Sequence, residues 1–359
     1  MQRYNYFYYV NQLFLHDSKS LTMKRMKTAW FGPILMALLL AACGNDKPDY
    51  KKKLEVATGQ APELVFDRYE EVLFNIDTAH FQQELMAVQQ KYMPFLGGDL
   101  TNPDAIRYLK DFAVDTLSIR FYRKVKETYP DLKDVAAIIE TEYRYFNHYY
   151  PEIQLPRHVY TCVSGVDPEI SPVLFLDDCL VISLDWYLNG DEIYDRIGMP
   201  RYRSERTASM GLAKDLGLQL YQNYVRQGRK QSNLLEEMVD VGKQDYFIEA
   251  MYPSISDATL LGYTTDQMYW AENNEGNLWA DMVGNQFLYS TELEMYRTFL
   301  ADGPFTNEYS HEAPARLGEF LGLHIVRSYM GSHDVALQDL MKNNDLQGIF
   351  QESGYKPKK

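Results

Sequence analysis

Two carboxylates, Glu272 and Glu275, stand on one expected helical face between Trp270 and Trp279. Paired acids can share general acid and base work on a glycosidic bond, and aromatic rings offer a sugar an apolar face. An acidic outer face flanking two core tryptophans accounts for the same letters. Other chemistries have thinner support. His311-Glu312 begins a His-Glu-x-x-His zinc motif, but position 315 is alanine and Pro314 interrupts a helix there. His16, His80, His148, His158, His324 and His333 are scattered, with no His or Cys at ligand spacing. There is no Gly-x-Ser-x-Gly elbow, no Ser-x-x-Lys cluster and no Gly-rich loop leading from a strand into a helix. Cys162 and Cys179 lie in apolar, strand-like sequence, where a thiol is usually inert packing. Two separate buried thiols fit that setting better than a bridge. Glu236-Glu237 and Asp240 read as a solvated face. The sequence therefore predicts no catalytic, metal-binding or cofactor-binding set.

Cys43 stands apart from the other cysteines. It follows Leu40-Ala41-Ala42 at the end of the apolar run Ala29–Ala42, itself preceded by Lys24, Arg25 and Lys27. A basic segment, a short apolar core and small residues before a cut site make a secretory signal. The run falls short of the roughly 20 residues that span a bilayer. Cysteine directly after Leu-Ala-Ala resembles the lipobox of bacterial lipoproteins. That resemblance implies a diacylglyceryl thioether on Cys43, cleavage before it and acylation of the new amino terminus. Residues 1–42 are then a signal peptide. Met1–Thr22 is aromatic and polar, unlike a signal, so translation is expected to begin at Met23 or Met26. The rest of the chain is expected in the cell envelope, outside the cytoplasm and held to a membrane by its lipid.

The 359 residues are 46% hydrophobic, enough for a large core. Residues 1–42 hold five of the 36 Lys and Arg and one of the 50 Asp and Glu, so residues 43–359 carry a net −18. Such a surface repels nucleic acid, whose binding depends on clustered Lys and Arg. With 29 Tyr and 17 Phe the chain is too aromatic to be disordered. Three cysteines do not build a disulfide scaffold.

Residues 43–63 are polar, with Lys51-Lys52-Lys53 and two prolines, and predict a lipidated flexible tether. From Leu64 to Lys359 the pattern predicts one globular domain, α+β but mainly α. Thr78 is placed to cap a helix whose stripe is Phe81, Leu85, Val88 and Tyr92. Pro103 and Pro130 open further helices, and Ile139, Tyr143, Phe146 and Tyr150 form another stripe. His158–Val163, Val173–Leu176 and Val181–Leu184 predict a small antiparallel sheet within about residues 157–185, the one strand-like region after Cys43. Helices resume at Arg206, with Leu212, Leu216 and Leu220 on one face. Asn233/Glu236 and Thr264/Gln267 predict capping boxes. Pro314 opens a last long helix, where Gly318 and Gly322 share a face suited to close helix packing.

Four stretches carry a wider resemblance: Ile182–Asp191 (ISLDWYLNGD), Leu234–Lys243 (LLEEMVDVGK), Tyr263–Ser290, and Ala313–Gly318 (APARLG) running into Ile325–Tyr329. With the lipobox they resemble the GldB gliding-motility lipoprotein family of Bacteroidetes-type bacteria. This implies an envelope lipoprotein needed for surface motility and linked to its secretion machinery. The lipid anchor and the lack of an assembled catalytic set then lead to a non-enzymatic scaffold or assembly factor; the alternative is a glycan-directed enzyme or binder using Glu272 or Glu275 beside Trp270 and Trp279. The lipoprotein's expected partners are the membrane, through the anchor, and other envelope proteins. A fainter likeness is to predicted zinc peptidases, and implies a degenerate zincin-like scaffold. There the helix matching Thr207–Asp215 would carry His-Glu-x-x-His, yet here it has no histidine. Glu236 or Glu237 would be a relic of the third ligand.

Overall fold

The computed structural model describes residues 50–54, 57, 59–167, 170–228, 233–306 and 308–357. The expected signal peptide, residues 1–42, and Cys43 lie outside the described residues. In chain order, helix α1 (Tyr50–Leu54) and strand β1 (Val65–Arg68) lead into α2 (Tyr69–Leu73), α3 (Phe81–Val88) and α4 (Met93–Leu96). Then come α5 (Pro103–Val114), α6 (Thr116–Thr128) and α7 (Lys133–Tyr149). Strands β2 (His158–Cys162), β3 (Val173–Phe175) and β4 (Cys179–Ser183) follow. After them run α8 (Ile193–Arg196), α9 (Arg201–Ser204), α10 (Gly211–Leu220) and α11 (Leu234–Met251). The C-terminal part holds α12 (Asp257–Leu261), α13 (Thr265–Gly284), α14 (Leu293–Leu300), α15 (Leu317–Ser332), α16 (Leu337–Lys342) and α17 (Leu346–Ser353).

The mainly helical α+β fold is the expected one, but the small sheet is not purely antiparallel as expected. It is mixed and four-stranded, in the order β1-β2-β4-β3. β1 pairs parallel to β2, and β2 parallel to β4, leaving β3–β4 as the antiparallel pair. β1 is too short for its alternation to register, and its partner β2 lies some 90 residues on. Both faces of the sheet are covered. Val159, Leu180 and Ile182 face the main helical core, whereas Tyr160, Cys162, Cys179 and Val181 face a smaller core with Tyr69, Leu85 and Tyr92. Two-sided burial explains why β4 reads as an unbroken apolar run. Cys162 and Cys179 are separate buried thiols.

Part of the segment expected to be tether is ordered structure. Within residues 43–63, α1 is helical and Leu54 is buried in the main core. Five residues cannot sustain a helix alone, so tertiary contact supplies its order. Elsewhere α3 begins at Phe81 with no side-chain cap, and Thr78 lies before it. Thr264 and Gln267 form the reciprocal box, while Asn233 caps α11 through the Glu236 N–H. Among the described residues no helix is long and apolar enough to cross a membrane.

Candidate functional site

α11 and α15 form the axis of the helical core. Thirteen of the 18 residues of α11 and thirteen of the 16 of α15 are buried. Their backbones meet where Gly242 faces Gly322. Helices buried on all sides carry their charged residues inward, and each such charge must find a partner or be neutralised, an acid by gaining a proton and a lysine by losing one. Lys243, Asp245, Glu249, Glu319 and Arg327 are all buried on these two helices.

The first network joins α10, α11 and α15. Glu319 receives Arg316 Nη1 at 3.1 and 3.0 Å and Lys214 Nζ at 3.3 Å. Arg316, in the Ala313–Gly318 stretch, has a left-handed backbone (φ 61°) and donates Nη2 to the Leu261 carbonyl. Burial works to raise the Glu319 pKa, but Lys214 and Arg316 more than offset it and hold the carboxyl below its usual range. Asp245 has the opposite fate. Its carboxyl oxygens have no hydrogen-bond partner among the described residues, and burial, followed by the Glu319 charge, pushes it well above the carboxylate range. One acid is kept charged and its neighbour neutral. At the rim, Asp302 accepts from Arg206 Nη1 at 2.6 Å and Arg203 Nε at 3.2 Å.

The helix that the zinc-peptidase likeness singled out thus presents Lys214, not an imidazole, to this interior. A divalent cation would meet the fixed positive charges of Lys214 and Arg316, so these residues do not fit zinc. Among the described residues no group of three or more His, Cys, Asp or Glu is arranged to hold a metal.

The second network centres on Arg327, which forks onto both Glu249 and Asp257 at 2.7 to 2.9 Å. Tyr50 of α1 lies over its guanidinium, 5.2 Å from ring centre. Lys243 Nζ donates to the carbonyls of Met341 and Asn343, where α16 ends and a cation suits the helix dipole. Sequence reasoning missed both networks. Their signal is a charged residue set inside an apolar run, as Glu249 is between Ile248 and Ala250.

The expected acid pair does not form. Glu272 is exposed and Glu275 is buried, so they share no solvent-facing surface. Glu275 Oε1 accepts the Tyr355 hydroxyl at 2.8 Å and lies 2.9 Å from His324 Nδ1. Trp279 packs edge-on against Tyr355 at 5.2 Å, and Trp270 leans on Tyr309 at 6.4 Å. A helix places residues three apart within reach of each other, but here the packing of the C-terminal segment claims only one of the two. His311 stacks edge-on against Phe305. Glu236 and Glu237 lie in the first turn of α11. Asp185, in the Ile182–Asp191 stretch, accepts the backbone N–H groups of Ser164 and Val166, each at 3.0 Å, and burial pushes it up to about 6.

One buried acid yields a direct prediction. Glu142 of α7 has neither carboxyl oxygen hydrogen-bonded among the described residues, and burial, then the Asp215 charge, raises its pKa well above the usual value. The folded state therefore keeps a proton that the unfolded chain releases near pH 4.3. This contribution is fully present below that pH and is lost as pH rises toward the folded-state pKa. Glu142→Leu removes the desolvated group and is expected to raise stability by about 1–3 kcal/mol at neutral pH. Urea unfolding should show a larger gain at pH 8 than at pH 4.5. A loss at pH 8 would show that the carboxyl is held by a partner.

The quoted stretches converge on this axis: Leu234–Lys243 supplies the first half of α11, Ala313–Tyr329 supplies Arg316 and most of α15, and Tyr263–Ser290 covers α13. The family model described as gliding motility protein GldB matches residues 49–357. The chain belongs to the GldB family. GldB membership implies a part in gliding motility and, for a lipoprotein family, a place at the cell envelope. The GldB match begins one residue before α1, so the docked helix belongs to the family unit. Neither a curated protein nor a solved structure matches this chain.

Proposed function

We propose that this GldB-family chain is a lipoprotein anchored through Cys43 that acts as a non-enzymatic scaffold or assembly factor for the motility machinery and its associated secretion apparatus. Family membership over residues 49–357 carries the reading. The interior networks support it: Lys214, Arg316 and Arg327 are committed to Glu319, Glu249 and Asp257, which makes these charges braces for the body. Partners on this reading are other envelope proteins, bound through the outer surface, with no cofactor beyond the covalent lipid.

Three measurements test the proposal. Cys43→Ser should leave an unlipidated precursor, because no other residue can form the thioether. The mature amino-terminal peptide of the wild type should carry the lipid mass, and its absence would remove the anchor. Crosslinking in intact cells followed by purification should recover envelope motility or secretion proteins. The purified domain should contain no stoichiometric zinc by elemental analysis. About one zinc per chain would overturn the non-enzymatic reading.

A further inference from the structure

Helix α1 is the first described element after the expected lipid site, and it is fastened at three points. Leu54 is 3% exposed and sits in the main core. The Tyr50 ring covers the Arg327 guanidinium at 5.2 Å and lies 6.3 Å from the Tyr246 ring. Lys51 Nζ reaches 4.0 Å from Glu249 Oε1 while its side chain stays 47% exposed. Arg327 faces two carboxylates and leaves one negative charge in excess, which Lys51 offsets. The surface beneath α1 is thus an apolar slot beside an acidic site, complementary to an aromatic–lysine–leucine segment.

The geometry points to a mooring: the Arg327–Glu249–Asp257 site binds α1 and so fixes how far the GldB body stands from its anchor. The height it sets rests on the proposed lipid at Cys43. With α1 docked, six residues, 44–49, separate Cys43 from Tyr50. Six residues reach about 20 Å at full extension, whereas the 20 residues 44–63 reach about 70 Å once α1 is released. Docking and helix formation are coupled, because a five-residue helix does not persist alone. The moored state holds the α12 start and the α11 end, where Asp257 and Glu249 lie, toward the bilayer. Release would extend the maximum reach of the body about threefold.

The test has two arms. In the first, a chain produced from residue 43 onward and carrying Cys43→Ser is exposed to trypsin, which cuts after Lys51, Lys52 and Lys53. Tyr50→Ala/Leu54→Ser should be cut there about tenfold faster or more, because cleavage follows the open population. Lys51→Glu, which sets like charges together at an exposed position and leaves the core untouched, removes the first of these sites but should speed the cut after Lys53, which is the bond compared among all three chains. Equal rates for all three chains would overturn the docking. In the second arm the lipidated chain, with a donor dye on Glu272→Cys, sits on phosphatidylcholine vesicles containing an acceptor lipid. Undocking by Tyr50→Ala/Leu54→Ser should lower energy transfer. Unchanged transfer alongside faster cleavage would overturn the height setting alone. An unmodified Cys43 that leaves the chain off the vesicles would overturn the anchor and leave the docking to the first arm.

Discussion

Gly322→Ala is expected to abolish stable folding of the helical body. A Cβ added at Gly322 would stand 1.8 Å from the Met238 carbonyl oxygen and 2.6 Å from its carbon. From the facing helix, a Cβ at Gly242 would stand 2.2 Å from the carbonyl carbon and oxygen of Gly322. Both obstacles are backbone, so no side chain can swing aside. α11 and α15 would have to separate by an ångström or more along their shared length, and these are the helices on which the main core is built. Overpacking of an ordinary core costs about 1–3 kcal/mol. Here a rigid backbone crossing is forced open, and a loss above about 4 kcal/mol is expected. That is a large part of the 5–15 kcal/mol that typically holds a domain together. Gly284→Ala is the control: nothing lies within 4 Å of its added Cβ, and its φ is not left-handed. It should change stability by no more than about 1 kcal/mol, in the favourable direction. Thermal and urea unfolding of the two variants side by side decide the matter. A cooperative transition for Gly322→Ala within about 1 kcal/mol of wild type would refute the close crossing.

Arg327→Met should cost nearly as much, by a different route. Arg327 Nε and Nη2 donate to Glu249 at 2.9 Å each, and Nη1 and Nη2 donate to Asp257 at 2.7 Å each. Burial would raise the Asp257 pKa, yet the hydrogen bonds and charge of Arg327 hold it below its usual range. Burial keeps Glu249 above its own, with Arg327 opposing. Methionine leaves both carboxylates buried or half-buried without a counter-charge. Breaking a buried ion pair from one side costs about 3–5 kcal/mol. The pH dependence has a definite sign. In the wild type, the depressed pKa of Asp257 contributes stability above its unfolded value near 3.9, lost as pH falls through the folded value. In Arg327→Met both acids lose their cation and are raised by burial, so stability should rise on acidification toward pH 5. Adding Glu249→Gln and Asp257→Asn should recover most of the loss at pH 7, because the stranded charges are gone. A loss that persists in the triple variant would instead assign the cost to packing of the arginine stem.

Periodicity made the helices legible, and with them the class. Phe81 and Leu85, Ile139 and Tyr143, and Leu212, Leu216 and Leu220 are buried as their spacing requires. The Thr264–Gln267 box and the Gly322 crossing were legible too, because a cap and a small-residue face are local statements about three or four residues. The parallel pairing of β1 with β2 was not, since strand order depends on which distant segments meet and four residues carry no register of their own. α1 was read as tether for a related reason: its order comes from Arg327 and the core, which lie far along the chain.

The candidate sites divide along the same line. Sequence alone determined the absence of a histidine pair on the helix of Thr207–Asp215, the lipobox-like end of the apolar leader, and the four stretches that mark the GldB family. Tertiary structure decided which charges matter. It buried Glu275 and left Glu272 in solvent, although helical spacing places them together. It set Lys214, from α10, against Glu319, from α15, and joined Glu249, Asp257 and Arg327 across 78 residues of chain. A charge inside an apolar helix announces that some partner exists. Which partner it finds, and whether it keeps its proton, is fixed by three-dimensional packing and by the desolvation that packing imposes.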